Sequence, residues 1–137
     1  AEKVSPGCDG LTARPLACTY DGLTGFENRT TQHTPGHFVR AMMESTATSL
    51  AKLVDDLCTN EKPKRIVATG GGAKSDLWLR IKANILGVEF ATTNCAEPAC
   101  KGAAMLGALA CGWFDSPKHA ADAWISIAKD FPAAEVL

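Results

Sequence analysis

No stretch of this sequence approaches the ~18–20 consecutive apolar residues of a membrane span. Neither an integral membrane protein nor a membrane partner is expected. An excess of one charge sign is equally lacking, since 14 Lys and Arg stand against 15 Asp and Glu for a net charge of −1. That balance gives no electrostatic reason to bind nucleic acid. Ala1 to Gly7 contain no Met, no basic cluster and no apolar signal core, so no secretory leader is expected and the chain reads as a fragment of something longer. The six cysteines contain no C-x-x-C pair, and His33, His37 and His119 fall at no zinc-ligand spacing. His33 and His37 are four apart without the Glu of a zincin helix, which suggests a satisfied or exposed pair. An even cysteine count admits a disulfide framework. Free thiols are the preferred reading, because a chain of this length needs no staples. Cys58, Cys100 and Cys111 also fall inside apolar helical patterns, where Cys acts as a small buried hydrophobe.

What is present is the composition of a folded domain. The chain has 137 residues, 46% hydrophobic and 21% charged, which matches one domain of ~100–150 residues able to bury a core. Residues 1–32 are rich in Gly, Pro, Thr and Asp. A short strand is expected over 11–17, with turns at Asp21-Gly22 and Thr24-Gly25. At Thr34-Pro35 the character changes to an N-cap followed by a first-turn proline. Phe38, Met42, Leu50, Leu53, Val54 and Leu57 then form one stripe of a long helix, about 34–59, stopped by Asn60 and Pro63.

A strand over 65–69 runs into Gly70, Gly71 and Gly72. A helix from Lys74 or Ser75 carries Leu77, Trp78, Ile81, Ile85 and Leu86 on one side and ends at Gly87. Residues 88–92 read as a second strand. Pro98 opens a helix of small residues to about Gly112, expected to pack closely on a neighbour. Pro117 opens a last helix to about Lys129 through Ala120, Trp124 and Ile127. The alternation implies crossover units, with 65–69 and 88–92 as parallel neighbours. Two strands make a poor sheet, so further strands are expected from the first 30 residues or from a region outside this chain.

The segment Thr69-Gly70-Gly71-Gly72-Ala73-Lys74-Ser75 carries the strongest chemistry. Glycines admit backbone angles others avoid and let a ligand approach closely. Successive N–H groups form an anion-binding concavity. The following helix adds its unpaired N–H groups and the positive end of its dipole. A P-loop is rejected, because its two glycine positions hold Ala68 and Ala73. The dinucleotide pattern G-x-G-x-x-G fits Gly70 and Gly72 but meets Ser75 at the third glycine. With Glu89 at ribose spacing, a Rossmann-like dinucleotide module remains the runner-up. A non-catalytic interaction domain is a third reading.

The whole stretch Ala68-Thr69-Gly70-Gly71-Gly72-Ala73-Lys74-Ser75-Asp76-Leu77-Trp78 resembles the adenosine-binding motif of the FGGY carbohydrate kinases, the family of xylulokinase, glycerol kinase and ribulokinase. His37-Phe38-Val39-Arg40-Ala41-Met42-Met43-Glu44 is similar to the second half of the family's C-terminal signature. Leu86-Gly87-Val88 resembles its "LG-V" segment, and Glu97-Pro98-Ala99-Cys100-Lys101-Gly102-Ala103-Ala104 its "E-x-A-x-x-G-A-A" helix. Gly7-Cys8-Asp9-Gly10-Leu11 and Pro15 resemble its "G-x-x-GL…P" opening. The motifs stand in the family's order, and the Lys-Ser-x-Leu-Trp ending leans towards xylulokinase-like members. The chain departs from the pattern at Asn28-Arg29, where relatives carry a Gly-apolar pair. It departs again at Lys101, where many carry an apolar residue, and in a shortened loop after Pro15.

The resemblance implies an α/β fold, part of an actin-like, ribonuclease H-like ATPase domain. Residues 1–137 would be a single, partial C-terminal nucleotide-binding domain, with 1–32 as a loop and short-strand region and 34–137 as the α/β core. It implies a cytoplasmic kinase using ATP and Mg²⁺ on a sugar or polyol, with ATP or ADP held here and the sugar held by an N-terminal domain outside this chain. The catalytic base and most metal ligands would also lie outside, so no catalytic residue is carried over. A homo-oligomer is compatible with it. The nucleotide-binding residues it implies are Gly70, Gly71, Gly72 and Ala73 through the backbone, with Ser75, Asp76 and Leu77 beside the adenine. For Ser75 and Asp76, helix N-capping is the rival role. Lys74 reads as an exposed lysine rather than a phosphate contact, Glu97 as an acid favouring a helix N-terminus.

Overall fold

The computed structural model describes residues 1–15, 24–59 and 61–134. The expected strand residues Leu16 and Ala17, the Asp21-Gly22 turn and the Asn60 stop lie outside them. The elements are β1 (Thr12–Ala13), β2 (Phe26–Glu27), α1 (Pro35–Leu57), β3 (Arg65–Ala68), α2 (Asp76–Leu86), β4 (Glu89–Thr93), α3 (Pro98–Ala110), α4 (Pro117–Trp124) and β5 (Ile127–Phe131).

The central sheet has the order β3-β4-β5. β3 and β4 run parallel, pairing Arg65 with Glu89 and Ala68 with Thr92, and α2 makes the crossover between them. The third strand overturns two expectations. It comes from the C-terminal end, whereas among the described residues β1 and β2 pair only with each other. The last helix stops at Trp124, and Ile127 to Lys129 belong to β5, antiparallel to β4. The physical reason is packing. Trp124 stands edge-on to Phe114 at 5.2 Å, which closes α4. The residues beyond it fill β4's remaining edge and bring Phe131 into the core, 5% exposed.

That core joins Leu79, Ala83, Leu86, Val88, Phe90 and Phe131, with Leu50, Ala51, Val54, Ile66 and Ala68 packed against it. So α2 buries Leu79, Ile81, Ala83 and Leu86, while Ile85 is exposed and Leu77 and Trp78 are half-buried, a face rotated from the expected one. On α1 the distal stripe residues Leu53 and Leu57 are exposed, lying off the face that meets α2. α3 packs chiefly on α4 and buries only Ala108. Its small residues Ala103, Ala104, Gly107 and Ala110 face outward, and so do Cys100 and Cys111, against the expectation of buried thiols.

A second cluster, Cys8, Leu11 and Ala41 with Val4, Ala13, Phe26 and Phe38, docks the N-terminal segment on α1. Thr34 caps α1, and His37 closes back on it, its Nδ1 accepting the Thr34 N–H at 3.1 Å. Just before β1 the backbone winds the wrong way, with φ of 81°, 52°, 52° and 89° at Gly7, Cys8, Asp9 and Gly10. L-residues pay about 1–2 kcal/mol each for that hand. Side chains of α1 hold it. Asp9 Oδ2 meets His37 Nε2 at 3.0 Å, and Gly7 N–H donates to Glu44 at 3.2 Å. Glu44 in turn accepts from the buried Arg40 at 2.8 Å.

Candidate functional site

Ala68 ends β3, and Gly70 then takes φ 79°, ψ −166°, a region open almost only to glycine. Gly71–Lys74 form a 3-10 turn, with the Ala73 N–H bonded to the Gly70 carbonyl at 3.1 Å. Ser75 returns to extended geometry and caps α2, its hydroxyl accepting the Trp78 N–H at 3.3 Å. Of its two expected roles, Ser75 thus fills the N-cap. With the Trp78 N–H taken by Ser75, the N–H groups of Asp76 and Leu77 are the ones an anion at this helix start would use.

The three glycines differ in surroundings. A Cβ added at Gly70 or Gly71 would meet nothing within 4 Å, whereas one at Gly72 would stand 3.5 Å from Trp78 Nε1. The backbone at Gly70 and Gly71 is therefore open to a ligand, and Gly72 packs on the indole. Lys82 covers the same ring, its Nζ 4.4 Å from the centroid, and burial lowers its pKa.

The turn stands at the C-terminal ends of the parallel strands, where ligands of open α/β sheets bind. A cavity of about 300 Å³ opens there, lined by Thr69, Gly70, Ala73 and Lys74, by Asn94 after β4 and by Lys129 of β5. Asn94 is fixed by the Ser126 N–H at 3.2 Å and by Lys101 Nζ at 3.3 Å. Asp76, at the first position of α2, is held by Lys129 Nζ, 3.1 Å from each carboxylate oxygen. Leu77 is half-buried beside it. Of the expected residues, Gly70 and Ala73 line this cavity, whereas Asp76 lines a neighbouring one. The structure adds Asn94 and Lys129, which sequence reasoning missed because Lys129 was read as helical. The isoleucines at 125 and 127 were the available strand signal.

Glu89 does not line this cavity. It pairs in register with Arg65 at the start of β4 and binds its guanidinium. Ala68 lies three residues further along, about 10 Å at strand rise. A carboxylate at the far end of the strands cannot hold the ribose of a dinucleotide on the glycine turn, so the Rossmann-like reading is withdrawn. Among the described residues no group of three or more His, Cys, Asp or Glu could hold a metal ion. His33 and His37 are satisfied by the Thr30 and Thr34 N–H groups, each at 3.1 Å. The five described cysteines are free thiols. No helix among the described residues is long and apolar enough to cross a membrane.

Residues 13–111 match the profile of the FGGY family of carbohydrate kinases, C-terminal domain. The chain is 33% identical over 124 residues to L-fuculokinase of Escherichia coli K12, covering 88% of this chain and 26% of that protein. It is 34% identical over 111 residues to xylulose kinase of Bacillus subtilis, covering 80% of this chain and 21% of that one. It thus spans about a quarter of the length of the relatives it matches. The fold is that of a ligand-bound xylulose kinase from Lactobacillus acidophilus, with a TM-score of 0.78 at 23% identity over 96% of this chain and 28% of that one. Glycerol kinase of Plasmodium falciparum with ADP gives 0.78 at 20% identity over 93% of this chain and 27% of that one. An actin-like α/β fold, the ordered motifs and the profile all converge, and the chain belongs to the FGGY family of carbohydrate kinases, in the region of their C-terminal domain.

Proposed function

We propose that this chain is the nucleotide-binding wall of an ATP-dependent carbohydrate kinase, which transfers the γ-phosphoryl group of ATP to a sugar or polyol hydroxyl. The observation that carries the reading is the glycine turn, with its backbone open at Gly70 and Gly71 and the N-terminus of α2 behind it. In this reading the backbone of Gly70, Gly71, Gly72 and Ala73 meets the nucleotide near the α-phosphate. Ser75, Asp76 and Leu77 flank the base, and an Asp76 oxygen accepts from the purine amine.

The chain forms one partial domain, a loop and short-strand region over 1–32 and an α/β core over 34–137. Mg²⁺ neutralises the transferring phosphates when bound, but no cluster among the described residues fits it. Its carboxylates, the general base and the sugar site are assigned to the rest of a longer cytoplasmic protein. Phosphoryl transfer rests on positioning and charge stabilisation, and this wall supplies the positioning. Closure of the two domains would exclude water from the cleft. Self-association would leave the role unchanged.

The test is a titration with ADP while following the amide signals of residues 69–77. Shifts confined to that segment are expected. Their absence at millimolar ADP overturns the reading.

A further inference from the structure

The partner chosen by Asp76 is unexpected. Arg80 stands one helical turn further along α2, the usual i,i+4 partner of an acid, and makes no ion pair among the described residues. Asp76 instead reaches 53 residues along the chain to Lys129 on β5, which contacts both carboxylate oxygens. Lys129 also lines two cavities. One is the 300 Å³ space at the glycine turn, and the other is a space of about 660 Å³ beside Asp76, Arg80 and Asn84. Lys129 therefore stands between them, with Asp76 on the side of the larger one.

The electrostatics give this pairing a purpose. A carboxylate in the first turn of a helix draws on the same dipole and N–H groups that a phosphate would use. Left uncompensated, Asp76 would repel a polyanion arriving at the turn. Both partners are about half exposed, 60% for Lys129 and 48% for Asp76, so their bond adds little to folding.

We infer that Lys129 is a positioning residue of the nucleotide site, which cancels the charge of Asp76 so that the entrance of α2 accepts phosphates. The inference rests on the nucleotide-site reading above. It separates charge from shape, because adenosine carries the base and ribose of ADP without the phosphates.

The experiment measures ADP and adenosine affinity of the 137-residue chain, with thermal midpoints as a control. Lys129→Met should weaken ADP about five-fold, the worth of one unit-charge contact near 4 Å in water. It should leave adenosine within about two-fold, since adenosine has no phosphate for Asp76 to repel and Asp76 still accepts from the purine amine. Lys129→Arg should retain ADP binding. Adding Asp76→Asn to Lys129→Met should restore ADP binding, and raised salt should narrow the gap between wild type and Lys129→Met. Equal loss of ADP and adenosine in Lys129→Met, or unchanged ADP binding, overturns the inference while leaving the site standing. A wild-type chain that binds neither ligand removes the site itself.

Discussion

Gly72 packs against Trp78, with the position of an added Cβ 3.5 Å from the indole Nε1, an ordinary contact distance. Gly71, one residue earlier, faces open space. The two glycines therefore separate ligand approach from packing. Gly71→Ala should leave stability within about 0.5 kcal/mol, as uncrowded surface changes do, and should weaken ADP binding. Gly72→Ala should touch the indole and shift tryptophan emission. Equal ADP affinity for wild type and Gly71→Ala would deny close backbone contact with the nucleotide.

Gly70 is the conformational glycine. Its φ of 79° and ψ of −166° penalise any side chain, although nothing stands within 4 Å. Gly70→Ala should cost roughly 1–3 kcal/mol by denaturant unfolding. A melt indistinguishable from wild type would mean that the turn adopts another geometry.

Phe131 ties β5 to the core shared with Phe90 and Leu79. Phe131→Ala should cost about 3–5 kcal/mol, a large part of the ~5–15 kcal/mol typical of a domain. Undoing β5 would also displace Lys129. Such a variant should lose ADP binding together with its cooperative unfolding transition. A fully stable Phe131→Ala chain would contradict the assignment of this strand.

Cys8 gives a pH signature. Burial first, then the neighbouring Glu44 carboxylate, push its thiol from 9.0 up to about 11. Between those values the unfolded chain releases a proton that the folded chain retains. Stability from this group is whole below about pH 9 and is lost as pH rises towards 11. The thermal midpoint of wild type should therefore fall more steeply across that window than that of Cys8→Ala. At pH 8, iodoacetamide should label the exposed Cys100 and Cys111 well before Cys8. Equal labelling, read by mass spectrometry, would show the N-terminal cluster to be open.

Local chemistry decided which features were legible. Thr34-Pro35, Ser75 and Gly87 announce helix ends because capping is a short-range bond, and all three act where expected. The parallel pairing of β3 and β4 followed from a helix between two β-branched runs. The glycine turn was visible because no other residue occupies Gly70's conformation. The misses were long-range. Ile127-Ala128-Lys129 satisfies a helical pattern after Trp124, and only β4's unpaired edge turns it into a strand. With that strand misread, the Asp76–Lys129 contact could not be foreseen. α3 looked buried by composition, yet a face of small apolar residues meets a neighbour only when the topology supplies one.

The wrong-handed backbone at Gly7 to Gly10 has a consequence for the order of folding. Beyond short turns of its own, such as the Gly10 N–H on the Gly7 carbonyl, its long-range bonds come from Asn28, Glu44 and His37. α1 must exist before the last two of these partners are in place. The N-terminal segment is therefore expected to dock late, closing a long loop onto a formed helix. Its amides should exchange with solvent through partial opening, at lower protection than those of Leu79 or Phe90. The segment synthesised first should then be among the last to settle.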